Sequence, residues 1–144
     1  MQDVSTDPDH FNQGLEYSEL GWYDDAIASY DTVIGIDPEN FRAWYNRGNL
    51  LFALDRYDDA IASYDNVIRI DPENVYAWNN RGIALDKLGR YNEAVASYDK
   101  ALKIDTNNPV ARQNRKVSRK LKRQNKIPPI QTRNLESLHG VPPS

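Results

Sequence analysis

Apolar positions along the chain recur at the spacing of helix faces, and the whole pattern returns with a period of 34 residues. In residues 41–54, Trp44, Gly48 and Leu51 fall on one helix face at i, i+4 and i+7. After a short polar connection, a second apolar stripe runs from Tyr57 to Ile68. Because proline cannot continue a helix, Pro72 ends this unit. The segment therefore predicts a helical hairpin.

The same step of 34 residues places a glycine in each first helix and an alanine in each second helix. Two antiparallel helices approach closely only where side chains are small, so we expect each glycine to face the alanine of its own hairpin. Glycine inside a helix costs roughly 0.5–1 kcal/mol relative to alanine, which makes a packing reason necessary. The glycines are Gly14, Gly48 and Gly82, and the alanines are Ala26, Ala60 and Ala94.

This pattern resembles the tetratricopeptide repeat family over residues 7–108. Departures are arginine or glutamine at the family's usual leucine, His10 in place of tryptophan, and Thr106 in place of proline. The resemblance implies an all-α fold, a right-handed α-solenoid of antiparallel helix pairs. In the second unit the family's positions are met by Trp44, Arg47, Gly48, Leu51, Ala60, Tyr64 and Pro72.

The repeat register also predicts the domain organisation. Asn108 and Pro109 give an N-cap followed by proline at the first helical position, and the helix that follows is rich in arginine and lysine. It is expected to cap the open end of the solenoid. The predicted segments are a frayed terminus at 1–6, repeats at 7–40, 41–74 and 75–108, a capping helix at 109–124, and a proline-containing flexible tail at 125–144.

The residues that chemistry would need are scarce. The chain has no cysteine and two histidines, which excludes thiol catalysis and cysteine-bound metal. The doublets Asp24-Asp25 and Asp58-Asp59 begin second helices, where carboxylates complement the helix dipole. We therefore expect no enzyme activity, no cofactor and no metal. Neither a leader nor a long apolar run is evident, so a cytoplasmic location is expected.

One residue type recurs on the face of the first helices that the helical wheel directs away from the partner helix. A carboxamide can both donate to and accept from the backbone of an extended peptide. Because adjacent first helices should lie about 10 Å apart, one amide would meet roughly every third peptide residue. The resemblance implies the same role, an asparagine ladder in a concave groove. The alternative is that these amides bond between neighbouring helices. The four positions are Asn12, Asn46, Asn80 and Asn114.

Apolar and polar side chains surround this ladder and suit an extended partner segment with spaced apolar anchors. The expected function is that of a non-enzymatic interaction scaffold or adaptor that binds a peptide segment of a partner protein. The further residues predicted to bind peptide are Arg42, Tyr45, Asn49, Phe52, Tyr76, Asn79, Ile83 and Lys87.

Charge divides the chain into two parts and supports an alternative function. Residues 1–108 carry 20 acidic and 9 basic side chains, whereas residues 109–144 carry 1 acidic and 9 basic, so −11 and +8 give the net −3. The alternative function is an electrostatic anchor, in which the basic helix binds nucleic acid or an anionic membrane. Interleaved aromatics for base stacking are absent, which disfavours nucleic acid. The apolar residues of the tail suggest self-association, with the tail filling a groove.

Overall fold

The computed structural model describes residues 8–124, and all regular secondary structure in that range is α-helical. Short connections join consecutive helices, so neighbours along the chain run antiparallel. The helices are α1 (Pro8–Glu19), α2 (Tyr23–Ile36), α3 (Phe41–Ala53), α4 (Tyr57–Ile70), α5 (Val75–Lys87), α6 (Tyr91–Ile104) and α7 (Pro109–Gln124).

Three helix pairs stack in sequence order. The pairs α1–α2, α3–α4 and α5–α6 make the most extensive contacts, together with α6–α7, and each second helix also packs on the first helix of the next pair. Contacts are thus confined to near neighbours along the stack, as in a solenoid. The predicted all-α solenoid of helix pairs with a seventh, closing helix is confirmed. Within residues 8–124, each helix is too short or too polar to span a membrane.

An asparagine caps the N-terminus of each of the helices α3, α5 and α7. The Oδ1 atoms of Asn40, Asn74 and Asn108 accept hydrogen bonds from the backbone N–H three residues on, at 3.1, 3.0 and 2.9 Å. This satisfies one of the backbone donors left unpaired at a helix start. The turns inside the hairpins pass through positive φ at Gly21, Asp55 and Gly89, so the aspartate occupies a conformation that favours glycine.

The repeated glycine lies beneath a buried tyrosine. A Cβ added to Gly48 would stand 2.7 Å from Cε1 of Tyr64, and one added to Gly82 would stand 2.5 Å from Cε1 of Tyr98. Both tyrosines are fully buried. The nearest contact of each of these glycines is therefore the tyrosine of its own hairpin, a partner that the expected glycine–alanine pairing did not include. The close approach is needed because an aromatic ring, which is larger than a methyl group, must fit between the helices.

The arginine that departs from the family pattern ties neighbouring repeats together. The Nε atom of Arg81 lies 2.7 Å from Oδ1 of Asp65 in the preceding repeat, and its Nη1 atom donates to Oγ of Ser97 at 2.6 Å. Arg47 repeats the arrangement one unit earlier. Arg115 in α7 keeps the contact to the preceding repeat, at 2.8 Å from Asp99. The guanidinium fork is the feature that allows two directed contacts at once.

We expect Arg81→Gln to lower the free energy of unfolding by about 1–2 kcal/mol, because the buried Ser97 hydroxyl and Asp65 lose a charged donor. Arg56→Gln is the matched control. Arg56 pairs with Asp59 on the same helix turn, both side chains being half exposed, so its loss should stay below about 0.5 kcal/mol. Urea unfolding of both variants measures the difference, and equal losses would contradict the inter-repeat role.

Candidate functional site

Two adjoining clefts open along the first helices. One has a volume of about 370 Å³ and lies between α1, α3 and the start of α5. The other, of about 590 Å³, lies between the start of α1 and the start of α3. The first is lined by Phe11, Phe41, Arg42, Tyr45, Asn46, Asn74 and Tyr76, and the second by Pro8, Phe11, Asn12, Glu39, Asn40, Phe41 and Arg42.

The two clefts share Phe11, Phe41 and Arg42 and so form one continuous surface, which we call the first-helix groove. Four of its eleven lining residues are aromatic, namely Phe11, Phe41, Tyr45 and Tyr76. The Arg42 guanidinium is exposed and its Cζ lies 5.7 Å from the centroid of the Phe41 ring. Tyr76 is 49% exposed, so its ring is open to solvent. The groove thus offers rings, amides, the cation of Arg42 and the carboxylate of Glu39, which pairs with Arg69 at 3.1 Å.

Five of the residues predicted to bind peptide lie on this groove: Asn12, Arg42, Tyr45, Asn46 and Tyr76. The sequence did not point to five further groove-lining residues: Pro8, Glu39, Asn40, Phe41 and Asn74. These residues lie at or near the start of a first helix, and a helical wheel drawn for the interior of the helix does not assign them to a face. The sequence signal that could have identified them is the proline-containing turn before each first helix, because the N-cap and the first helical residue follow that turn directly.

The asparagines of the predicted ladder differ in exposure. Asn12 is exposed, whereas Asn46 is half-buried and its Nδ2 donates to the hydroxyl of Tyr30 at 3.3 Å. Asn80 is fully buried, and its Nδ2 donates to the hydroxyl of Tyr45 at 3.1 Å. At Asn46 and Asn80 the amide therefore bonds between neighbouring helices, which is the alternative arrangement.

Asn49 belongs to a buried polar network rather than to the surface. The hydroxyl of Tyr64 donates to its Oδ1 at 2.6 Å, and Nδ2 of Asn80 lies 3.3 Å from the same atom. Asn49, which was expected to surround the asparagine ladder, faces the partner helix instead, because the Tyr64 ring lies over Gly48 and brings its hydroxyl to Asn49. Burial raises the pKa of Tyr64 well above its usual value, and burial raises the pKa of Tyr45 to about 12.

Three more predicted residues lie in the interior. Phe52 and Ile83 are buried in the apolar core, and Asn79 is fully buried. The Nδ2 atom of Asn79 donates to Oδ1 of Asn108 at 3.2 Å and so helps to orient the cap of α7. Phe52 lies between the two helices of its own pair, because its ring packs against Tyr57 of α4 with 5.1 Å between the ring centroids.

The remaining two predicted residues lie beyond the groove. Lys87 is half-buried in the last turn of α5, and Asn114 is half-buried on α7. The tail predicted to fill a groove lies outside the described residues. Within residues 8–124, no three histidine or acidic side chains are grouped so that they could hold a metal ion.

The sequence profile of the tetratricopeptide repeat family matches residues 11–75 and 48–109. No curated protein sequence matches the chain.

Solved structures with the same architecture cover most of the chain. The TPR domain of Arabidopsis OM64 is 27% identical with a TM-score of 0.71, over 77% of this chain and 92% of that domain. The TPR2B domain of yeast Sti1, solved in complex with pHsp70, is 27% identical with a TM-score of 0.69, over 80% and 94%. The Sgt2 TPR domain from Aspergillus fumigatus is 20% identical with a TM-score of 0.75, over 93% and 94%, and shows the fold alone.

Proposed function

The chain belongs to the tetratricopeptide repeat family, and on that premise we propose that it is a non-catalytic interaction module that holds an extended segment of a partner protein in the first-helix groove. One observation carries the proposal: an open groove with exposed aromatic and cationic side chains runs across the first helices of all three repeats. Fold alone does not imply an activity, so the groove supplies the argument.

The dimensions of the groove suit an extended chain. Ordinary helix packing would place adjacent first helices about 10 Å apart, and an extended chain advances about 3.3 Å per residue. A segment of roughly nine or ten residues would therefore cross three first helices. The rings of Phe11, Phe41 and Tyr76 favour apolar side chains spaced along that segment, and Arg42 favours a carboxylate near the middle.

The TPR2B domain of yeast Sti1, solved in complex with pHsp70, supports a role in binding a protein partner. That domain binds a polypeptide partner and is similar to this chain over most of its length. The first-helix groove is the surface of this chain that we assign to the equivalent task. The ligand-binding residues that we propose are Asn12, Arg42, Tyr45, Asn46 and Tyr76, together with Phe11, Phe41 and Asn74.

A library of displayed linear peptides, selected on the full chain, tests the proposal. We expect the enriched peptides to lose at least about tenfold in affinity for the variant Arg42→Ala/Tyr76→Ala, because exposed anchors in an interface centre carry much of the binding energy. Fluorescence anisotropy with the enriched peptides gives the affinities. Both substituted side chains are exposed, so thermal melts should remain close to those of the unchanged chain.

The matched control is Arg56→Ala/Trp22→Ala, which also removes one exposed cation and one exposed aromatic ring. Both residues precede second helices, as the N-caps of α4 and α2, and neither lines the groove. This variant should keep full affinity. Equal affinities of the two variants for the enriched peptides would overturn the assignment of the groove.

A further inference from the structure

Helix α7 presents one strongly basic face, which we call the cap stripe. Its residues follow the spacing i, i+3, i+4, i+7 and i+11 of one helix side and extend over about 16 Å. They surround a cleft of about 430 Å³. No acidic residue occurs in α7. The cap stripe consists of Arg112, Arg115, Lys116, Arg119 and Arg123.

The repeat register shows which face of a first helix this is. Residues 34 positions earlier than Lys116 and Arg119 are Gly82 and Leu85. Gly82 lies under Tyr98 of α6, and Leu85 is fully buried. The cap stripe therefore stands on the face that a fourth repeat would cover with its own second helix. Within residues 8–124 no helix covers it.

The charges of the cap stripe are largely uncompensated within the described part of the chain. Arg115 pairs with Asp99 at 2.8 Å. The structure gives no ion pair between residues 8–124 and Arg112, Lys116 or Arg119, and all three are exposed. Like charges at i and i+4 destabilise a helix. A closing helix needs only a polar outer face, which mixed charges provide equally well, so solubility does not explain a single sign.

We propose that the cap stripe is a second binding site, and that it takes an acidic helical segment of a partner protein. The segment lies antiparallel to α7, in the place of the missing second helix. Lys116 occupies the position that corresponds to Gly82 of α5, where the ring of Tyr98 fits against the helix. Because the lysine side chain fills that space, the bound segment would lie further from α7 than α6 lies from α5. Carboxylates at helical spacing bridge that gap to the guanidinium groups.

The observations favour a short acidic segment over an extended polyanion. Residues 1–108 have a net charge of −11, so a long nucleic acid or an anionic bilayer meets repulsion wherever it extends beyond α7. Helix α7 contains no aromatic residue for base stacking. Its Ala111 is buried against the repeats, and Val117, at 42%, is the only large apolar side chain of α7 that is exposed, which is too little apolar surface for insertion into a membrane. A segment confined to α7 avoids that repulsion.

Binding of defined probes to the full chain tests the inference. The first probe is a fluorescent alanine-based helix of about 16 residues with glutamates at the spacing of the cap stripe. The others are the same helix with lysines, a short DNA duplex, and vesicles of anionic phospholipid. We expect the glutamate helix to bind at least about tenfold more tightly than the duplex or the vesicles, and more weakly as salt rises.

Two variants with the same change of net charge locate the site. Arg112→Glu/Arg119→Glu removes two members of the cap stripe, whereas Lys120→Glu/Lys122→Glu reverses two exposed charges of α7 outside it. The first should weaken the glutamate helix by about tenfold or more and the second by about twofold or less. Equal weakening would overturn the site, and tighter binding of the duplex or vesicles would overturn the acidic partner. Peptides selected for the groove should bind both variants normally, which separates this site from the groove.

Discussion

Gly48→Ala should destabilise the protein although alanine is the better helix former. The added Cβ would lie 2.7 Å from one ring carbon of Tyr64 and 3.0 Å from another. Tyr64 is fully buried and donates its hydroxyl to Asn49, so the ring cannot move without breaking that hydrogen bond. Overpacking of this kind costs about 1–3 kcal/mol, and Gly48→Leu should cost more.

Gly35→Ala is the matched control, because the substitution is chemically identical and the site is open. Gly35 lies in α2, is exposed, and has no atom within 4 Å of an added Cβ. The free energy of unfolding of this variant should rise by up to about 1 kcal/mol from helix propensity alone. Urea unfolding of both variants gives the signs. A gain at Gly48 as large as that at Gly35 would show that Tyr64 does not require the glycine.

The second large effect concerns Asp86, which joins three helices at the closed end of the stack. Its Oδ2 atom accepts a hydrogen bond from the Tyr98 hydroxyl of α6 at 2.7 Å. Oγ of Ser118 in α7 lies 2.8 Å from both of its oxygens. The other charged or titratable groups that act on it are Lys87 of α5 and Tyr91 of α6. Burial raises the pKa of Asp86 from 3.8 to about 6, and these hydrogen bonds oppose the rise.

Because the folded chain holds this proton more tightly than the unfolded chain, the contribution of Asp86 to stability is largest below about pH 4. It declines as the pH rises through about 6. Asp86→Asn removes the ionisation. As the pH rises from 4 to 7, the free energy of unfolding of the variant should therefore increase relative to that of the wild type, by up to about 3 kcal/mol. Urea unfolding of both proteins across this range measures the gain. Parallel stability profiles would contradict it.

Ser118→Ala provides an independent check on the same contact. The Ser118 hydroxyl favours the ionised form of Asp86, and its loss should raise the pKa of that carboxyl further. The variant should therefore lose more stability than the wild type as the pH rises. A smaller loss would show that Ser118 is not the partner that holds the charge.

The sequence by itself determined the number, type and order of the elements. A period of 34 residues, with Pro38 and Pro72 at the breaks and Asn40 and Asn74 as caps, specifies helices locally. These signals depend on neighbours a few residues away, through capping, proline geometry and helix-face spacing. Family membership follows from the same local pattern, so the fold was predictable from the sequence.

Only the tertiary structure decided what each helix face contacts. A wheel for one helix leaves Asn49 and Phe52 on an open side, yet both are buried. Asn49 accepts a hydrogen bond from Tyr64 and from Asn80 of the next repeat, and Phe52 packs against Tyr57. The amide of Asn80 is likewise enclosed, because α5 packs against α3 through its hydrogen bonds to Tyr45 and Asn49. Burial depends on helices that are 34 residues apart in the chain. The periodic pattern predicted the same exposed position for all equivalent asparagines, whereas packing leaves Asn12 exposed and buries Asn80.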